Sequence, residues 1–242
     1  MKRKSMAGLF CIALVGLLFG AAHAQTAGEI QKKMVDAQGG PEALKSVQDL
    51  TITGSIDLVQ QGMSGTLTVY KKEPDKRRTD IEVMSMIITQ CYDGKTAWWT
   101  NPQTGNKEVV SGDQAEDLKR QSMPIGASLD PAKYGLSYVS KGKEALEGKE
   151  YLVLEETYPD GLKVTIYVDP QTYLIHKLKS KLLSGGVSYD FEQILSDYKK
   201  EGPMAMAHSI VTYQNGAEYS KITFKEFKIN AGIADSIFEM GK

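Results

Sequence analysis

The sequence predicts one domain that is mainly β with some α, built on a single large, strongly curved antiparallel sheet. Apolar and polar residues alternate with a period of two in successive runs between Asp49 and Ile229, which is the period of a half-buried strand. Turn signals such as Asp93-Gly94 and Asn215-Gly216 separate neighbouring runs. About ten or eleven runs at this spacing favour one curved antiparallel sheet.

The first run shows the alternation most clearly. Leu50, Ile52 and Ile56 share one face, while Thr51 and Asp57 share the other. The remaining runs predict further strands at residues 66–70, 78–83, 86–92, 95–100, 151–157, 163–168, 174–181, 186–194, 208–213 and 219–229.

Three helical stretches accompany the strands. Gln25–Gln38 carries apolar residues at three- and four-residue spacing, and Pro41–Leu44 follows as a short helical turn. Ser111–Gln121 begins with Ser111-x-x-Gln114, the pattern of a capping box, and is charged over most of its surface. A long irregular connection is expected after it, because Pro124 and Pro131 follow closely.

The N-terminus is typical of a secretory signal peptide. Lys2, Arg3 and Lys4 precede an apolar run over residues 6–22, and the small-x-small triplet Ala22-His23-Ala24 follows. We therefore expect export and cleavage after Ala24. A membrane anchor is the alternative, since the apolar run approaches the roughly 20 residues that a spanning helix needs.

The composition is that of an ordinary globular protein. The 242 residues include 29 Lys and Arg against 30 Asp and Glu, and 41% are hydrophobic. No basic surface for nucleic acid is indicated. Residues 25–242 are predicted to form one domain, and after cleavage Cys91 is the remaining cysteine, so we expect no internal disulfide.

Motifs for catalysis are absent from the sequence. After cleavage His176 and His208 remain, and the chain contains no zinc-protease, nucleophile-elbow or phosphate-loop pattern. We therefore predict no enzyme activity, no cofactor and no metal. A hydrolase that uses Cys91 or a carboxylate pair is a further hypothesis, but Cys91 lies in an apolar run where a packed thiol is usual.

Two carboxylate pairs lie in alternating strands. Glu155-Glu156 and Asp80/Glu82 are interpreted as part of the solvated outer face of the sheet.

The predicted inner faces of the strands supply apolar surface for a cavity. Trp98 and Trp99 point to opposite faces of their strand, so at least one of them should lie outside the main core. Each of these residues has plain core packing as its alternative role. The candidate cavity residues are Ile52, Ile56, Leu58, Leu67, Val69, Ile81, Val83, Trp98, Trp99, Leu152, Leu154, Val164 and Ile166.

The stretch from Asp93 to Pro102 resembles a hallmark segment of the periplasmic outer-membrane lipoprotein carrier (LolA) family. An N-terminal helix followed by a strand pair that ends at Lys71-Lys72-Glu73-Pro74, the stretch Tyr167–Thr172, and the ending Ile233–Phe238 are similar to that family as well. The likeness covers nearly the whole chain after the signal peptide.

This resemblance implies an unclosed antiparallel half-barrel whose concave side is covered by helices and encloses an apolar cavity for acyl chains. In that family an arginine before the proline that ends the second strand takes part in handing over cargo. Here lysines precede the proline and arginines follow it. The cargo-transfer candidates are Lys71, Lys72, Arg77 and Arg78.

The leading hypothesis is therefore a soluble, monomeric carrier in the periplasm that binds acyl chains of lipoproteins or lipids. Transfer proteins of the inner and outer membranes are its expected partners. The alternative is an interaction module that uses the same fold to sense envelope stress and to regulate a membrane partner.

Overall fold

The computed structural model of the protein describes residues 25–184 and 186–241. The predicted signal peptide, residues 1–24, lies outside the described residues. The helices are α1 (Ala27–Ala37), α2 (Pro41–Ser46) and α3 (Asp113–Ser122). The strands are β1 (Asp49–Leu58), β2 (Met63–Lys72), β3 (Lys76–Val83), β4 (Met86–Tyr92), β5 (Ala97–Thr100), β6 (Lys107–Val109), β7 (Ser137–Leu146), β8 (Lys149–Thr157), β9 (Lys163–Val168), β10 (Ile175–Ser184), β11 (Val187–Glu201), β12 (Met204–Gln214) and β13 (Ala217–Ile229).

All of these strands belong to one antiparallel sheet with the order β6-β5-β4-β3-β2-β1-β13-β12-β11-β10-β9-β8-β7. Consecutive strands are neighbours except for β6 and β7, and the pairing of β1 with β13 joins the two halves of the chain. The edges are β6 and β7, so the sheet stays open. The connection of residues 110–136 must cross from one edge to the other, and it carries α3.

The predicted curved antiparallel sheet is confirmed, and the structure adds two strands to the predicted set. β6 has only three residues, too few for an alternating pattern to show. β7 is an edge strand whose side chains are mostly exposed, and its register shifts between Ser140 and Gly142. An exposed edge strand with a bulge lacks the apolar alternation by which a strand is recognised in a sequence.

The first helix begins at Ala27, two residues inside the predicted stretch, with Thr26 as its N-cap. The Thr26 hydroxyl accepts a hydrogen bond from the Glu29 amide at 3.3 Å, and the Glu29 carboxylate accepts one from the Thr26 amide at 2.8 Å. This reciprocal pair is a capping box.

The capping box predicted for α3 at Ser111 is wrong. Gly112 is the N-cap, with φ +61° and no side-chain hydrogen bond, and the helix begins at Asp113. A positive φ is readily adopted by glycine, so the N-cap lies one residue later than the serine pattern indicates.

Helices α1 and α2 cover part of one face of the sheet, which we call the concave face. Ile30 and Met34 of α1 pack on Leu154 and Val168, and all four are buried. Leu44 of α2 belongs to an adjacent buried cluster on the same face. These contacts fill the concave face at one end and leave the other end to α3.

The C-terminal segment, residues 231–240, covers part of the opposite, convex face near β2 to β5. Phe238 is fully buried there against Cys91 and Trp98. The indole Nε1 of Trp98 donates to the main-chain carbonyl of Phe238 at 3.0 Å, and the Cys91 thiol donates to the same oxygen at 3.3 Å. Cys91 therefore has the packing role predicted for it.

Candidate functional site

A cavity of about 580 Å³ lies between the concave face and α3. Its volume falls in the range of roughly 300–1,000 Å³ that small-molecule sites occupy. The apolar side chains that line it come from the β8–β9 turn and from strands β9 to β12: Leu162, Val164, Ile166, Ile175, Leu178, Leu182, Phe191 and Ile210.

Strand alternation explains why these side chains meet. Leu178 lies opposite Ile166 on one side and Gln193 on the other. Residues directly opposite one another in an antiparallel pair share a face, and so do residues two apart along a strand. Leu182 and Phe191 therefore line the same wall as Leu178.

One end of the cavity is polar, and its side chains connect the sheet to α3. Arg77 on β3 donates through Nη1 to the side-chain oxygen of Gln121 on α3. Gln121 donates to Asp117 at 2.7 Å, and Arg120 donates to the other oxygen of Asp117 at 3.2 Å. Arg120 also forms an ion pair with Asp160 in the β8–β9 turn. We call α3 the lid and this chain of five residues the latch.

Lys71 makes a further contact between the sheet and the lid. It lies directly opposite Arg77 in the pair of β2 and β3. Its ammonium donates to the main-chain carbonyls of Gln121, at 3.4 Å, and Met123. Burial, together with the charge of Arg77, lowers the pKa of Lys71 to about 8.

A buried carboxyl also stands in the cavity wall. Glu156 accepts a hydrogen bond from the Tyr138 hydroxyl at 2.5 Å and is buried. Burial raises its pKa above the ordinary value, although hydrogen bonds from Tyr138 and Tyr158 act in the opposite direction. The interpretation of this carboxylate as part of the outer face is therefore wrong. Glu155 does lie on the outer side, where Lys163 binds it at 3.1 Å.

Alternation along β8 could have located Glu156. Leu152 and Leu154 precede it at a spacing of two, and both are buried on the concave face. The carboxyl therefore continues an inward-pointing row. The other residues of the cavity that the candidate set misses, such as Leu178 and Phe191, show the same alternation in β10 and β11.

The structure divides the predicted cavity residues among several places. Val164 and Ile166 line the cavity, while Leu152 and Leu154 are packed beneath α1. Six others form a cluster with Ile222 and Phe224 on the concave face of β1 to β3: Ile52, Ile56, Leu58, Leu67, Val69 and Ile81.

The remaining three candidates are Val83, Trp98 and Trp99. Val83 is buried and packs closely on Gly65: a Cβ atom added to Gly65 would lie 2.7 Å from the Val83 side chain. Trp98 lies on the convex face beneath the C-terminal segment and does not line the cavity. Trp99 is half-buried and lies opposite Gln90, so its side chain is on the concave face of the sheet.

The four cargo-transfer candidates separate into two pairs. Lys71 and Arg77 lie on the concave face and contact the lid. Lys72 and Arg78 lie on the convex face, where they donate to the main-chain carbonyls of Ile233 at 2.8 Å and of residue 237 at 2.7 Å. The first pair is placed to influence the cavity, whereas the second pair holds the C-terminal segment.

The described part of the chain contains no cluster of three or more His, Cys, Asp or Glu side chains that could hold a metal ion. Burial raises the pKa of the Cys91 thiol to about 12, which disfavours the thiolate that a nucleophile requires. Within residues 25–184 and 186–241, no helix has the length and apolar character needed to cross a membrane.

Comparison with solved structures identifies the architecture. A LolA superfamily protein from Nitrosomonas europaea matches with a TM-score of 0.61 and 16% identity, over 89% of this chain and 98% of that chain. A DUF1329 family protein from Desulfovibrio piger matches with a TM-score of 0.60 and 14% identity, over 88% and 97%.

An outer membrane lipoprotein-sorting protein domain from Vibrio parahaemolyticus matches with a TM-score of 0.59 and 14% identity, over 88% of this chain and 95% of that domain. No family model matches the sequence, and no curated protein does. The described residues thus define an open antiparallel half-barrel covered by helices. The protein has the LolA-like fold, as the resemblance in its sequence predicts.

Proposed function

We propose that the protein is a periplasmic carrier that binds an acyl chain in the cavity beneath the lid. The cavity itself supports this proposal most strongly, because its wall of aliphatic and aromatic side chains is suited to a hydrocarbon chain. The LolA-like fold supports it as well, since one solved structure with this fold is an outer membrane lipoprotein-sorting protein domain. Membrane-bound transfer proteins would supply the cargo and receive it.

The energetics of an acyl chain set two requirements for such a carrier. Each CH₂ group that leaves water contributes about 0.8 kcal/mol, so a long chain is held tightly only where most of it is covered. Release then requires the cover to open. Here the cover is a single helix that buries one apolar side chain, Leu118, and that is joined to the sheet by polar side chains. Water can replace these polar contacts when the helix moves away.

The decisive experiment is to purify the protein from the periplasm and to measure its mass by native mass spectrometry. We expect added masses that solvent extraction identifies as acyl compounds. The variant Leu178→Glu places a charge on the cavity wall and should lose this cargo. Leu183→Glu is the matched control, because Leu183 lies on the same strand, points to the other face and is 55% exposed.

Equal acyl content in Leu178→Glu and Leu183→Glu would exclude the cavity as the binding site. Purification with an empty cavity and one tightly bound membrane protein would instead support the interaction module that the sequence leaves as the alternative.

A further inference from the structure

Two cationic side chains lack a carboxylate partner: Arg77, which lines the polar end of the cavity, and Lys71, which lies beside Arg77 without lining the cavity. Lys71 and Arg77 stand directly opposite each other on the concave face. Among the described residues, neither forms an ion pair within 4.0 Å. At longer range, the negative charge of Glu73 favours the charged form of Lys71, and that of Asp117 favours the charged form of Arg77. A half-buried pair of like charges is costly unless something else compensates it.

The carboxyls nearest this pair are already engaged. Asp117 accepts hydrogen bonds from Arg120 and Gln121. One oxygen of Glu73 accepts the main-chain amide of Ile125 at 2.8 Å. Neither carboxylate is placed to neutralise the guanidinium of Arg77 directly.

Arg77 has N–H groups that donate no hydrogen bond among the described residues. A guanidinium carries five N–H groups in a planar fork, and one of them, on Nη1, donates to Gln121 among the described residues. Its side chain also lines the cavity. It can therefore bind a ligand inside the cavity without giving up the latch.

We propose that the ligand is a single acyl chain that ends in an oxyanion, as a fatty acid does. This inference rests on the proposed acyl-binding function. The oxyanion of the ligand lies against Arg77, with the positive charge of Lys71 close behind, and its hydrocarbon chain extends along Leu178 and Phe191. Arginine suits this role because its fork matches the two oxygens of a carboxylate or phosphate. An amphiphile with an uncharged head group leaves the two cations uncompensated.

The test measures the affinity of three probes at submicellar concentration: hexadecanoate, hexadecyl phosphate and hexadecanol. We expect wild-type protein to bind both anions more tightly than the alcohol. Arg77→Met removes the latch contact to Gln121 for all three probes alike, so the head-group effect is the difference between probes. The variant should weaken the two anions by roughly tenfold or more beyond any change in hexadecanol, the usual effect of losing a hydrogen bond to a charged group. Lys225→Met, which removes an exposed lysine on β13 outside the cavity, should change none of the three.

Two further measurements keep the test valid if Arg77→Met does not fold. Arg77→Lys keeps the charge and loses the fork, so it should weaken hexadecanoate relative to wild-type protein more than it weakens hexadecanol. In wild-type protein, high salt should weaken the anions and not the alcohol.

The two proposals fail in different ways. Equal affinity of all three probes for wild-type protein, with no effect of salt or of Arg77→Lys, would overturn the head-group assignment and leave the acyl carrier intact. Failure of all three probes to bind would overturn both proposals. A preference for one anion identifies the head group as a carboxylate or a phosphate.

Discussion

The guanidinium of Arg120 on α3 forms an ion pair with the carboxylate of Asp160 in the β8–β9 turn. The next residue of the same helix, Gln121, accepts a hydrogen bond from Arg77 on β3. The lid is thus joined to both halves of the open sheet, through adjacent residues of one helical turn. Water can replace these polar contacts when the lid opens, and the buried side chain of Leu118 then becomes exposed.

Replacing Arg120 should loosen the lid. The Arg120 side chain is 15% exposed and binds two carboxylates, so Arg120→Met removes charge-assisted hydrogen bonds. We expect the amides of α3 to exchange with solvent about tenfold faster, corresponding to roughly 1.4 kcal/mol. Hydrogen exchange monitored by mass spectrometry measures this rate.

The control for the lid is Lys119→Met. Lys119 is the neighbour of Arg120 on the helix, is 60% exposed and reaches Glu116 only at 4.0 Å. Exchange in α3 should be unchanged in this variant. If both variants exchange at the wild-type rate, the latch does not hold the lid.

The faces of the strands can be predicted from the sequence, because side chains alternate strictly along a strand. The location of the cavity cannot. Leu154 and Val164 lie on the same concave face, but Leu154 is covered by α1 whereas Val164 lines the cavity. Which part of a face a helix covers depends on long-range packing, and alternation carries no information about it. For the same reason, pattern alone could not place Trp98 beneath the C-terminal segment.

Glu156→Gln should change how stability depends on pH. Burial raises the pKa of Glu156, so the folded chain retains a proton that the unfolded chain loses. This stabilising contribution is present below the ordinary pKa of 4.5 and is lost as pH rises through the folded value. The wild-type free energy of unfolding should therefore fall relative to Glu156→Gln as pH rises above about 4.5. Urea titrations at acidic and neutral pH measure the difference.

Glu155→Gln provides a control with the opposite sign. Hydrogen bonds from Lys163 and Lys141 lower the pKa of Glu155, so its contribution is present above the ordinary pKa and is lost as pH falls. Wild-type protein should lose stability relative to this variant on acidification. A difference between wild type and Glu156→Gln that does not vary with pH would contradict the assignment of a buried carboxyl.

Phe238→Ala should destabilise the whole half-barrel. Phe238 is fully buried, and its carbonyl accepts from both Trp98 and Cys91. Removing a buried phenylalanine side chain typically costs about 3–5 kcal/mol. We expect a decrease of that order in the free energy of unfolding, measured with urea. Met86→Ala, at a side chain that is 53% exposed, should change stability by less than about 0.5 kcal/mol.

The Cys91 thiol should be nearly inert in the folded protein. It is fully buried, and burial raises its pKa from 9.0 to about 12, which reduces the thiolate population about a thousandfold. With the chain that begins at Gln25, an alkylating reagent at mildly alkaline pH should label Cys91 only after unfolding in urea. Mass spectrometry of the intact chain counts the added groups. Cys91 is enclosed by Trp98 and Phe238, so rapid labelling of the folded protein would mean that the C-terminal segment opens readily. Slow labelling that follows global unfolding indicates that this segment belongs to the stable core.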